Sequence, residues 1–152
     1  MRHRLATSDS ELLFVYGTLR RGCDNQQAHR LHSESSWLGT GLARGRLYRV
    51  DWYPALVADQ EAGWVAGDIL RMADPDATLA WLDAYEECGP AFPQPQEYRR
   101  EPIDIVFAGA QVRAWAYLYN RPLDGLKPVP DGDWLSGQSS SADPVDQPDC
   151  RE

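Results

Sequence analysis

Positive charge is scarce in this chain: 15 Lys and Arg stand against 23 Asp and Glu, a formal net charge of −8. A phosphate backbone or an anionic membrane surface requires clustered cations, so nucleic acid and membrane are both disfavoured as partners. Long apolar runs are missing as well. No stretch approaches the roughly 18 consecutive apolar residues of a membrane-spanning helix. Residues Met1 to Ser10 carry Arg2 and Arg4 but lead into Thr7, Ser8, Asp9, Ser10 and Glu11 rather than the apolar core of a signal peptide. A cytoplasmic location is the expectation. Cysteine is limited to Cys23, Cys88 and Cys150, an odd number at wide spacing, which reads as free thiols in a reducing compartment. No Gly-Lys-Ser or Gly-Lys-Thr phosphate loop occurs, which removes the best support for nucleotide binding. Internal repeats are absent.

What is present suits one soluble globular domain. The 152 residues are 43% hydrophobic, and a chain of this length buries roughly two thirds of its unfolded surface without a disulfide or metal staple. Leu12 to Tyr16 is a short apolar run stopped by Gly17, a buried strand ending in a turn. Asp24 is placed to cap a helix over Asn25 to Ser33. From Trp37 to Leu70, repeated glycines and Pro54 predict several short strands. Asp74-Pro75 is a strong helix start, with the helix expected to reach Glu87. A Pro-rich loop, Pro90 to Gln96, leads to a hairpin of Tyr98 to Phe107 and Val112 to Asn120, turning through Ala108, Gly109 and Ala110. The expected class is α+β, a small mixed β-barrel, closed or strongly curved, with a few flanking helices. Residues 1–10 read as a flexible N-terminus, 11–136 as the domain and 137–152 as a disordered acidic tail.

One carboxylate sits against the pattern. On a helical wheel at about 100° per residue, Glu86 falls between Leu79 and Leu82 on the apolar arc, whereas Asp83 and Glu87 fall toward solvent. Burial, the helix dipole and the charge of Glu87 all raise the pKa of a carboxyl so placed, which suits it to moving protons. Periodicity alone leaves open that the last turn frays and Glu86 reaches water. A second feature is the loop Tyr16-Gly17-Thr18-Leu19-Arg20-Arg21-Gly22 after the first strand. Its glycines allow amides to face a carboxylate or an oxyanion, although glycine after a strand also marks a plain turn.

Together these segments resemble the γ-glutamylcyclotransferase-like family, which includes the γ-glutamylamine cyclotransferases and the avirulence-induced-gene-like proteins. Val15 to Gly22 is similar to the family's Tyr-Gly-Thr-Leu loop, and Leu82-Asp83-Ala84-Tyr85-Glu86 to its Leu-Asp-x-x-Glu segment. Weaker likenesses follow in order at Gly45 to Tyr48, Tyr53 to Leu56, Val65 to Leu70, Tyr98 to Arg100, Ala114 to Tyr117 and Gly132 to Trp134. The resemblance implies an enzyme without a cofactor or metal. Its substrate would be a small γ-glutamyl molecule, whose α-amine attacks its own γ-carbonyl to give 5-oxoproline and a free amine or amino acid. It further implies Glu86 as the catalytic base and then acid, and the Tyr16, Gly17, Thr18 and Leu19 loop as the holder of the γ-glutamyl part. Tyr117 either lines the pocket or packs the barrel.

Other readings compete. Cys23, His29 and His32 suggest a metal site, but three loosely spaced ligands without a fourth make a poor one. Cys88 lacks a histidine nearby in sequence to activate it. The non-enzymatic alternative is a module on the same fold that binds a small metabolite or a protein. An inward carboxylate beside an amide loop favours chemistry over binding alone.

Overall fold

A computed structural model describes residues 11–86 and 96–135. The N-terminal segment, the acidic tail, Cys88, Cys150 and the Pro-rich loop up to Pro95 lie outside the described residues. Strand β1 (Leu12–Val15) is followed by α1 (Gln26–Ser33), β2 (Ser35–Arg49), β3 (Pro54–Ala58) and β4 (Trp64–Met72). Helix α2 (Pro75–Tyr85) precedes β5 (Tyr98–Phe107), β6 (Ala110–Tyr119) and the short β7 (Lys127–Pro128).

Strand β1 is the centre of the fold because it is apolar on both faces. Leu12, Phe14 and the following Tyr16 pack with Leu47, Ile69 and Ile105 inside the sheet, while Leu13 and Val15 pack outside it against Leu31, Leu79 and Leu82 of the helices. Strand β1 runs antiparallel to β4 and parallel to β6. The order β2-β4-β1-β6-β5 closes through Leu42↔Val106 and Ala43↔Ile105 of β2 and β5. The result is a mixed five-stranded barrel, with β3 and β7 added on the far end of β2.

The segment expected to break into several short strands is instead dominated by β2, one strand of 15 residues. Its glycines serve close approach, not turning. A Cβ on Gly41 would lie 2.7 Å from Ile105 Cγ2 and 3.1 Å from Ile69, so the barrel interior has no room for one. A register shift between Trp37 and Gly39 bends β2, which pairs with β4 up to Arg44 and with β3 from Gly45 on. The hairpin turn is also tighter than expected. Phe107 faces Ala110 directly across a two-residue turn, Ala108-Gly109, in which both φ angles are positive (53° and 79°).

Both helices begin on side-chain caps. Asp74 Oδ1 accepts from the Ala77 amide, as the Asp74-Pro75 signal predicts. Helix α1 is capped by Asn25, whose Oδ1 accepts from Ala28 N at 2.7 Å, and not by Asp24, which pairs with His29. Helix α2 stops at Tyr85, two residues short of the expected Glu87: Glu86 is its C-cap, with the backbone amide donating to Leu82 O at 2.8 Å.

Candidate active site

The end of β1 and the end of α2 open onto one cavity of about 260 Å³. Tyr16, Gly17, Thr18, Leu19, Tyr117 and Glu86, the residues singled out in the sequence, all line it. Leu79 and Leu82 are buried as the wheel requires, and Glu86, one turn beyond Leu82, is half-buried with its side chain against the cavity. Its carboxyl has no hydrogen-bond partner among the described residues. Burial, then the nearby carboxylates of Glu97 and Asp83, push its pKa up to about 8.

The loop is held by its carbonyls. Gly17 O accepts from Arg20 N (3.1 Å), Thr18 O from Asn25 Nδ2 (2.8 Å), and Leu19 O from His32 Nε2 (2.9 Å), which therefore carries the proton. In a trans peptide the N–H points away from the preceding carbonyl. Tying back the Gly17 and Thr18 carbonyls therefore turns the amides of Thr18 and Leu19 the other way, and among the described residues neither has a protein acceptor. Gly17 is required for a different reason than a special φ: a Cβ there would meet Pro54 Cγ at 2.5 Å and Cδ at 2.7 Å. Gly22, at φ 93°, is the loop's left-handed glycine.

Behind the loop lies a buried ion network. Arg20, 8% exposed, donates from Nη1 to Asp133 at 2.9 Å and sets Nη2 3.6 Å from Asp68, which is 3% exposed. Asp68 Oδ2 also accepts from the Arg21 amide at 2.6 Å. Arg20 is thus a brace for the loop; it is not among the residues lining the cavity. The histidines of the metal reading are similarly occupied. His29 pairs with Asp24, His32 with the Leu19 carbonyl, and no group of three ligand-type side chains capable of holding a metal occurs among the described residues. The free-thiol expectation fails at Cys23, which is disulfide-bonded. Wide spacing in sequence does not limit which thiols a fold brings together.

Three of the cavity's tyrosines are structural donors. Tyr16 OH donates to Tyr117 O (2.5 Å), Tyr98 OH to Pro54 O (2.6 Å), and Tyr117 OH to Asp83 Oδ1 (2.7 Å). Asp83 also takes a bidentate bond from Arg100, at 2.8 and 3.1 Å. Burial drives all three phenols above their ordinary range, so they stay protonated. Tyr117 both lines the cavity and fixes Asp83.

A match of residues 13–136 to the model of the family described as gamma-glutamyl cyclotransferase, AIG2-like, spans nearly all of the described chain. The gamma-glutamylcyclotransferase family protein YtfP of Escherichia coli (strain K12) is 35% identical over 123 residues, covering 81% of this chain and 95% of YtfP. The chain belongs to the AIG2-like γ-glutamyl cyclotransferase family. The solution structure of ytfP from Escherichia coli superposes with a TM-score of 0.59 at 34% identity, over 82% of this chain and 96% of that one. An aig2-like protein from mouse gives 0.56 at 26% identity, over 71% and 76%. Within this family fold, sequence reasoning missed Glu97, Trp52, Tyr53 and Tyr98, all of which line the cavity. Tyr53 and Tyr98 lie in the weaker family-like segments and were legible to that extent. Glu97 follows a proline-rich stretch with no periodicity, and Trp52 lies in a loop.

Proposed function

We propose that this protein is a cofactor-independent γ-glutamyl cyclotransferase in which Glu86 is the catalytic base and then acid. The observation that carries the reading is Glu86 itself: a carboxyl without a hydrogen-bond partner among the described residues, raised to about 8, sharing one cavity with an amide-bearing loop. The substrate supplies both reactants, so the protein must fold the γ-glutamyl chain until its α-nitrogen meets the γ-carbonyl. The amides of Thr18 and Leu19 receive the anionic oxygens of the γ-glutamyl group. Glu86 takes a proton from the α-ammonium; the freed amine forms a bond to the γ-carbonyl carbon; Glu86 returns the proton to the leaving nitrogen as the bond from that carbon to it breaks; the second proton, left on the ring nitrogen, passes through the same carboxylate to the released amine, which departs as its ammonium. The products are 5-oxoproline and the amine.

The raised pKa gives this exchange its driving force. Lifting the carboxyl from its ordinary 4.5 to about 8 lowers the cost of taking the α-ammonium's proton by about 5 kcal/mol. Incubating the protein with γ-glutamyl amides and measuring 5-oxoproline by mass spectrometry tests the reading, with Glu86→Gln alongside. Product from the parent that disappears in the variant supports it. Product that persists in the variant assigns the base to another group, and no product from any amide favours the binding-module alternative.

A further inference from the structure

Cys23 takes no part in the proposed reaction, yet it closes the loop that does. The chain leaves β1 at Tyr16 and makes two successive turns, with Arg20 N donating to Gly17 O and Cys23 N to Arg20 O, both at 3.1 Å. The second turn folds the Cys23 sulfur back over the start of the first, where Sγ lies 3.8 Å from Gly17 O. That carbonyl belongs to the peptide that carries the Thr18 amide. Cys23 itself is 4% exposed and disulfide-bonded. One end of the loop is thus held by β1, whose Val15 pairs with Asp68, and the other by a covalent bond.

The same loop separates two cavities. Tyr16 to Leu19 line the first, and Arg21 to Asp24 line a second of about 480 Å³, which shares no lining residue with the first. Cys23 therefore borders a space that admits a small thiol. The guanidinium of Arg21 and the imidazole of His32 line that space too, while Asp24 is paired with His29. A cationic wall favours the thiolates that attack and leave a disulfide. The fold does not need the bond as a staple: the barrel closes through β2 and β5, and one apolar cluster fills it while a second packs the helices against it.

We propose that the Cys23 disulfide is a redox switch on this loop: intact, it fixes the turns from Gly17 to Cys23 and with them the amides of Thr18 and Leu19, and reduced by a dithiol it releases them. The first thiolate of the dithiol attacks one sulfur of the bridge, forms a mixed disulfide and frees the other sulfur, which takes a proton. The second thiolate displaces that mixed disulfide, so the dithiol departs as its own cyclic disulfide and the remaining cysteine sulfur is released and protonated. Two electrons have passed from the dithiol to the bridge. The reduced Cys23 thiol then has only the long contact to Gly17 O to offer the loop, and S–H is a weak donor. A covalent tether outweighs it, so the oxidised form is the better ordered and the better binder. The effect on catalysis rests on the cyclotransferase reading, but the order of the loop can be measured apart from it.

Hydrogen exchange read by mass spectrometry compares the full chain before and after dithiothreitol under native conditions, with strand β4 as the internal reference. Exchange over residues 16–23 should rise by about tenfold on reduction while β4 stays unchanged, and reoxidation should reverse it. For a γ-glutamyl amide that the protein cyclises, KM should rise by about tenfold with kcat held within about twofold, because only a fraction of the reduced loop is competent to bind. Cys23→Ser should behave as the reduced protein in either buffer. One of Cys88→Ser and Cys150→Ser, which leave the loop sequence intact, should do the same, and this covers a folding failure of the first variant. A bridge that dithiothreitol leaves unreduced, loop exchange equal in the two states, or exchange that rises equally throughout the chain overturns the inference, the last because it would make the bond a staple of the whole fold. A dithiothreitol effect that survives in Cys23→Ser overturns it as well. If no amide yields 5-oxoproline, the cyclotransferase reading fails, and the exchange measurement alone decides the switch.

Discussion

Replacing Glu86 with Gln should stabilise the fold at alkaline pH and leave it unchanged at acid pH. The carboxyl rises from its ordinary 4.5 to about 8 in the folded protein, so between those values the native state holds a proton that the unfolded chain has lost. Stability therefore declines as pH rises through that window, and the decline ends once the native group is also ionised. The full difference of about 3.5 pH units at 1.36 kcal/mol each corresponds to roughly 5 kcal/mol. Water at the mouth of the cavity screens part of it, since the residue is only half-buried, and about 2–3 kcal/mol is the expected gain. For a domain of this size that is a rise in Tm of roughly 10 °C at pH 9, against almost none at pH 4.5, where the native Glu is neutral like Gln, nearly the same shape, and only half ionised in the unfolded chain. Differential scanning calorimetry of the two proteins across pH 4.5–9 measures it, and every group common to both cancels. A Tm gap that is flat with pH, or a variant less stable at pH 9, would refute the reasoning, because it would mean that the ionised carboxyl is accommodated by the fold.

Three other outcomes follow from the geometry. Glu97→Gln removes the second-largest cause of the raised Glu86 pKa, so the acid limb of the pH–kcat/KM profile should move to lower pH; burial, the larger cause, keeps it above 4.5, and an unmoved limb would show that the two carboxylates do not interact. Gly17→Ala forces a methyl into the Pro54 ring and displaces the loop amides, with an expected loss of about a hundredfold in kcat/KM, and circular dichroism reports whether the fold is kept. Arg20→Met strands the buried Asp68 carboxylate, and urea denaturation should register a loss of about 3–5 kcal/mol, part of which Arg20→Met with Asp68→Leu restores.

The parts of this site that were legible in the sequence are those set by local rules. Glu86 could be found because a helix repeats every 3.6 residues and Leu79 and Leu82 mark its buried side. The start of α2 was readable because Asp74-Pro75 is a self-contained signal. The remainder depends on contacts between distant segments. Glu97 faces the cavity through a bond to Tyr53, 44 residues earlier, and through pairing with Asn120. The loop amides are turned by Asn25 and His32 on α1, and no property of Tyr16 to Leu19 announces those partners. The glycines of β2 misled for the same reason: Gly41 is glycine because Ile105 is opposite, a fact that exists only once β2 meets β5.

The position of Glu86 as a cap also bears on its chemistry. Helix α2 ends at Tyr85, so the carboxyl hangs beside the helix's negative pole, and no described residue offers it a compensating donor. By contrast, Asp83, one turn back, is given Arg100 and the Tyr117 hydroxyl, both within 3.1 Å. Two acidic side chains three residues apart on one helix are thus treated in opposite ways. The charge of Asp83 supplies part of the upward shift at Glu86. Arg100 and Tyr117 therefore act on Glu86 indirectly, by holding the Asp83 carboxyl in place. An unpaired carboxyl costs stability wherever it is ionised, and in the proposed reaction that cost is met because the substrate's ammonium supplies the missing proton when it binds.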